Sequence, residues 1–238
     1  MRKTSLAVLT GDVIGSTKLA SGTLTELRKA VVAVAEQFAR DHPGALLGEA
    51  DFFRGDAWQL VLAEPGLALR LSLTIRAYLR FALKVDTRVS IGVGAGEVNL
   101  DQVSLSTGEA FVLSGRGLDG MTSYFELGGA LPERTGLAAA WFRTLVELTS
   151  GLARRWKPGQ AEVLFTALQL ADPKHGAIAQ RLSPPRTKAT VTGALLGANW
   201  RPIRNALLVL EATDWDAVLV EQPNGQNAHL QPNRPKDP

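Results

Sequence analysis

At 238 residues, 45% hydrophobic and 21% charged, the chain holds enough apolar side chain for one large core or two modest ones. No apolar run nears the roughly 20 residues that cross a bilayer, so no membrane is expected as a partner, and the absence of cysteine excludes disulfides and thiolate metal sites and points to a cytoplasmic location. The net charge of +3 is unevenly spread: residues 1–153 hold 15 Lys and Arg against 16 Asp and Glu, and residues 154–211 hold 9 against 3.

The N-terminal run TSLAVLT is β-rich and continuously apolar, which predicts a central strand. It stops at Asp12 with no small-residue cleavage pattern, so it is read as a strand and not a signal peptide. Leu24, Leu27, Val31, Val34, Ala35 and Phe38 then recur at helical spacing, ended by Pro43-Gly44. The stretch ALLGEADFFRGDAWQLVLA reads as two strands around a tight Gly55-Asp56 turn. PGLALRLSLTIRAYLRFAL is a second amphipathic helix with Pro65 in its first turn. TRVSIGVGAGEV is a strand whose glycines admit a close neighbour to the backbone. TGEAFVLSGRGLDGM reads as helical and SYFELGG as a last strand. The order β-α-β-β-α-β predicts an α+β domain of ferredoxin-like, palm-type architecture over residues 1–130.

Residues 131–153 predict a connecting helix, and 154–213 an all-helical unit with the rhythm of a helix-turn-helix. Residues 214–238, polar and rich in Pro and Asn, read as a disordered tail.

Two Gly-Asp pairs, Gly11-Asp12 and Gly55-Asp56, carry the chemical signal. Alone, each suits a turn. In a β-α-β-β arrangement their strands are neighbours, so both carboxylates can converge at one edge. Two close carboxylates repel unless a proton or cation intervenes. A hard cation, Mg²⁺ or Mn²⁺, is the usual answer, with water and phosphate completing its shell. Gly15, Ser16 and Thr17 follow the first pair and offer backbone N–H groups to a phosphate.

GDVIGSTKL resembles the D-x-x-G-S-T-x-L segment that opens class III nucleotidyl cyclase domains. RGDAWQLVL resembles their Gly-Asp hairpin, RVSIGVGAGEV their R-x-G-I-x-x-G strand, and GEAFVLSGR the helix that follows. Residues 6–118 carry this resemblance. The pattern is similar also to the bacterial SatD-like family, with its GD-x-x-x-S start, GD-x-x-Q hairpin and G-x-A-F helix. The resemblance implies a cyclase-like fold and a homodimer. It implies a metal, Mg²⁺ or Mn²⁺ with a nucleotide, on Asp12 and Asp56. Arg116 matches an arginine that faces nucleotide phosphates, and Arg54 in the hairpin joins the expected phosphate set. The sequence also departs from the cyclase pattern. The purine-selecting lysine is replaced by Phe52, the second purine-selecting position falls at Leu105, and the transition-state asparagine falls at Val112. Base selection and oxyanion support are thus replaced by apolar groups, which argues against cyclase activity.

In the basic segment, Ala179 is the small residue that lets two helices cross, with Ile178, Leu182, Val191 and Leu195 inward. The usual spacing puts the inward residue of the second helix at Ala189, so either Ala189 fills that role or the turn is longer. Arg186, Thr187, Lys188, Thr190 and Thr192 are the expected DNA-facing residues at the start of the second helix. The reading is a DNA-binding transcriptional regulator on duplex DNA, with a degenerate cyclase-like domain that senses a metal-nucleotide or phosphate ligand. The alternative is a nucleotidyl cyclase or another Mg-dependent nucleotide enzyme with different base selection.

Overall fold

The computed structural model describes residues 5–53 and 55–220. Met1–Thr4, Arg54 and the tail from residue 221 lie outside the described residues.

The expected order of elements is present. Strand β1 (Leu6–Val13) leads to helix α1 (Ser21–Asp41), then to the hairpin β2 (Leu46–Phe53) and β3 (Ala57–Leu62). Helix α2 (Ala68–Tyr78) follows, then β4 (Thr87–Gly94), α3 (Glu109–Asp119) and β5 (Leu127–Ala130). The sheet order is β2-β3-β1-β4-β5. The first four strands are antiparallel neighbours, and β5 joins β4 in parallel. The β2-β3-β1-β4 order is that of a ferredoxin-like α+β fold. The last strand starts later than the sequence suggests, at Leu127.

The two faces of the sheet differ because side chains alternate along each strand. One face carries Leu9, Trp58, Leu60 and Ile91 into the main core with Leu27, Val31, Leu71 and Ile75 of α1 and α2. The other carries Leu6, Val8 and Val61 into a smaller cluster with Val103 and Ala110. Helix α3 lies directly on β4: a Cβ at Gly92 would stand 2.3 Å from the Ala110 carbonyl oxygen. The neighbour that the β4 glycines admit is therefore α3 itself.

Helix α4 (Leu137–Ala153) is more than a connector, since its Phe142 and Val146 pack over Gly129 of β5. Helices α5 (Pro158–Leu168), α6 (His175–Arg181), α7 (Lys188–Gly197) and α8 (Trp200–Glu211) share the main core through Leu164, Ile178, Val191 and Leu207. Arg70 of α2 ties α8 down through a two-pronged bond to Glu211, with Nε–Oε1 at 2.6 Å. The start of the expected disordered tail is ordered instead. Helix α9 (Trp215–Leu219) places Trp215 edge-on to Phe142 at 5.5 Å, because a buried indole outweighs the polar residues around it. No helix among the described residues is long and apolar enough to cross a membrane.

Candidate functional site

A cavity of about 850 Å³ opens on the second face of the sheet. Its floor comes from alternate residues of the strands: Thr10 and Asp12 of β1, Ala57 and Gln59 of β3, and Arg88 of β4. Phe53 and Asp56 of the hairpin, Phe111, Val112 and Asp119 of α3, and Ser104, Ser106 and Thr107 of the segment before α3 complete the lining.

Both Gly-Asp pairs reach this cavity, for the topological reason inferred from sequence. β1 and β3 are antiparallel neighbours with Gly11 opposite Trp58, so Asp12 and the Asp56 turn lie at the same sheet edge. The glycine before Asp12 has its own cause. A Cβ there would stand 2.3 Å from the Trp58 ring, which packs flat beneath the strand. Trp58 is fully buried and its indole N–H donates to Thr87 Oγ1 at 3.3 Å, so it is a core residue and not a ligand neighbour.

Asp12 meets a partner that sequence reasoning had not assigned. Arg88 stands opposite it across the β1–β4 ladder and donates from Nε to Oδ1 at 2.9 Å and from Nη2 to Oδ2. Hydrogen bonding to Asp12 raises the Arg88 guanidinium above its ordinary value, against burial, and the charges of Asp12 and Asp56 add to it. Arg88 is thus a cation of the chain itself, paired with Asp12 and within the field of Asp56. The sequence signal was an arginine inside an apolar strand.

The donor set fits a divalent ion that brings its own phosphate ligands, since Mg²⁺ is held by one or two carboxylates with water and phosphate oxygen. Among the described residues no group of three or more His, Asp or Glu is placed to hold a metal. Asp12 and Asp56 are the side chains that would hold one here.

The remaining expected residues are dispersed. Ser16 and Thr17 begin a single 3₁₀ turn (Ser16–Lys18) outside the cavity lining, preceded by Gly15 in the left-handed region at φ 72°. Arg116 is exposed and lines a separate cleft of about 400 Å³ beside β5, with Arg143 and Glu147. Burial raises the Glu147 carboxyl there, opposed by Arg143. Arg54 lies outside the described residues. Of the positions that replace cyclase residues, Val112 lines the cavity and Phe52 and Leu105 do not. Phe52 sits under Arg28 of α1, whose guanidinium carbon is 5.6 Å from the ring centre and whose nitrogens also donate to the Gly55 carbonyl.

In the helical segment, Ile178, Ala179, Leu182, Val191 and Leu195 are buried as expected. Ala189 is exposed, so the longer turn is the one present, spanning residues 182–187. The expected DNA-facing side chains are partly engaged within the chain. Arg186 contacts Glu162 at 3.4 Å. Thr187 caps α7 by accepting from the Thr190 N–H at 3.1 Å, and its hydroxyl also meets that of Thr190. Thr192 bonds His175 Nδ1 at 2.8 Å and donates to the Lys188 carbonyl. Lys188 is exposed at the first turn of α7.

No protein-family model and no curated protein matches this chain. Among solved structures, the guanylyl cyclase Cya2 aligns over 57% of this chain and 78% of its own, at 17% identity and a TM-score of 0.40. A bacterial light-regulated adenylyl cyclase aligns over 53% of this chain and 43% of its own, at 17% identity and a TM-score of 0.37.

Proposed function

We propose that this chain is a regulator that senses a nucleotide with its divalent cation in the Asp12–Asp56 cavity and acts on duplex DNA through its basic helical segment. The observation that carries the ligand half is the meeting of Asp12, Asp56 and Arg88 in one cavity of about 850 Å³, a volume within the usual range of small-molecule sites. Asp12 and Asp56 would hold Mg²⁺ or Mn²⁺, which supplies positive charge between the carboxylates and phosphate oxygens. Arg88 adds a fixed positive charge, and the hydroxyls of Ser104, Ser106 and Thr107 offer neutral hydrogen bonds. Val112, at the position that the resemblance gives to the transition-state asparagine, lines the cavity with an apolar side chain, which favours binding over turnover. The DNA half rests on the excess of 9 Lys and Arg over 3 Asp and Glu in residues 154–211 and on the exposed start of α7. A homodimer is part of the same reading, implied by the resemblance of residues 6–118.

The test is calorimetric titration of the full chain with ATP and GTP, with and without Mn²⁺, alongside chromatography of the nucleotide after incubation. The expected result is metal-dependent binding without a new product, lost in Asp56→Ala while the fold is kept. No binding overturns the ligand reading. A new nucleotide product that disappears in Asp56→Ala replaces the sensor with a nucleotidyl cyclase or another Mg-dependent nucleotide enzyme.

A further inference from the structure

The floor of the cavity holds one polar side chain for which neither metal nor phosphate accounts. Gln59 stands in the apolar strand AWQLVL and is only 9% exposed, yet it lines the cavity. Its Nε2 donates to Thr10 Oγ1 at 3.1 Å. Thr10 Oγ1 lies 2.9 Å from Ser114 Oγ, and Ser114 Oγ donates to the Phe111 carbonyl at 3.1 Å.

The polarity of this chain is set from its far end. A carbonyl can only accept, so the Ser114 proton goes to Phe111 and Ser114 accepts from Thr10. Thr10 then accepts from Gln59, which requires the amide nitrogen on that side. The Gln59 amide is therefore held in one orientation by three consecutive bonds. Its Oε1 has no hydrogen-bond partner among the described residues, and Nε2 keeps a second N–H. That oxygen belongs to a cavity-lining side chain and is left as an acceptor for a donor on a bound ligand or for water.

We infer that Gln59 is the specificity-determining residue of the cavity, and that it reads the adjacent donor and acceptor of an adenine base, the 6-amino group and N7. A glutamine amide pairs with that edge through two bonds. Phe53 and Phe111 supply apolar and aromatic walls for a planar ring. Spacing agrees, because Gln59 is three residues beyond Asp56, which immediately precedes β3, at most about 10 Å of chain, so the base and the charged end of one nucleotide reach both. This places base selection on the strand floor, away from Phe52 and Leu105. The inference rests on the nucleotide reading above.

The experiment is titration of the full chain, in the presence of Mg²⁺, with ATP, GTP and 7-deaza-ATP, which lacks the N7 acceptor. The wild type is expected to prefer ATP over each of the others by about tenfold. Gln59→Leu is expected to bind all three alike. Gln59→Glu, which keeps an acceptor and loses the amide donor, is expected to lose the penalty for 7-deaza-ATP while remaining folded by circular dichroism. Equal binding of the three by the wild type overturns the inference alone, as does a preference that survives in both variants. Failure of the wild type to bind any nucleotide overturns the nucleotide reading as well.

Discussion

Arg88 and Asp12 face each other across the β1–β4 ladder and are joined by two hydrogen bonds, Nε–Oδ1 at 2.9 Å and Nη2–Oδ2. The side chains are 37% and 20% exposed, so the pair is neither a surface contact nor sealed from water. Arg88 supplies positive charge to Asp12 directly and to Asp56 at longer range. In Arg88→Ala, Asp12 loses its partner and Asp56 loses a nearby positive charge. Stability at pH 7 is expected to fall by about 1 kcal/mol, the upper end for solvent-accessible pairs. Mg²⁺ alone is expected to raise the melting temperature of the variant more than that of the wild type. Equal responses to Mg²⁺ would show that Arg88 does not stand in for a cation.

A second ion network supports the sheet from beneath. Arg76 is fully buried and binds Asp86 through two nitrogens, at 2.8 and 2.7 Å, with Glu126 at 3.7 Å. Arg80 reaches the same Asp86 and also the Trp156 carbonyl, linking the turn that follows α2 to the segment before α5. Arg76→Ala leaves two carboxylates without their buried partner and is expected to cost about 3–5 kcal/mol in urea unfolding. Arg80→Ala, at a partly exposed position, is expected to cost clearly less.

Two carboxylates beside the cavity-lining segment 104–108 ionise more easily in the folded chain. Hydrogen bonding by the Ser104 side chain first, and then by its backbone N–H, which donates to Oδ2 at 2.9 Å, holds Asp51 below its ordinary 3.8 against burial. Arg134 holds Glu109 below 4.5, first by hydrogen bonding and then by its charge. Each group binds fewer protons folded than unfolded. Their contribution is therefore complete above pH 4.5 and is lost as pH falls through the lowered values. Amide exchange over residues 97–109 is expected to quicken below about pH 4.5 relative to the main core. In the Asp51→Asn, Glu109→Gln double variant this added acid sensitivity is expected to vanish.

For DNA, Arg186→Ala with Lys188→Ala is expected to weaken binding at low salt and to flatten the dependence of log K on log salt by about 0.9 per lost phosphate contact. Arg40→Ala and Arg143→Ala, outside the segment, are expected to change little. Thr187→Ala is expected to act on stability, by about 1 kcal/mol, because its hydroxyl caps α7. A wild type that does not bind duplex DNA at about 50 mM salt ends the DNA reading.

Local pattern sufficed for the order of strands and helices, because apolar period and turn residues are properties of short stretches. It sufficed also for the inward residues of α6 and α7; Asp12 and Asp56 line one cavity, as the strand order allows. What surrounds those carboxylates did not follow. Arg88 is 76 positions from Asp12, and only the antiparallel register of β1 and β4 makes them partners. Gln59 is the last residue of the GD-x-x-Q pattern, but its partners Thr10 and Ser114 are set only by the packed sheet and α3. Arg116 carries a recognisable motif, yet the turn of α3 sends it to another cleft. Thr187 and Thr192 read as groove-facing hydroxyls until capping and His175 claim them. The order of elements is written in side-chain periodicity over about ten residues, whereas the partner of a polar group is chosen by register and packing between segments far apart in the chain, and that choice exists only once the tertiary structure has formed.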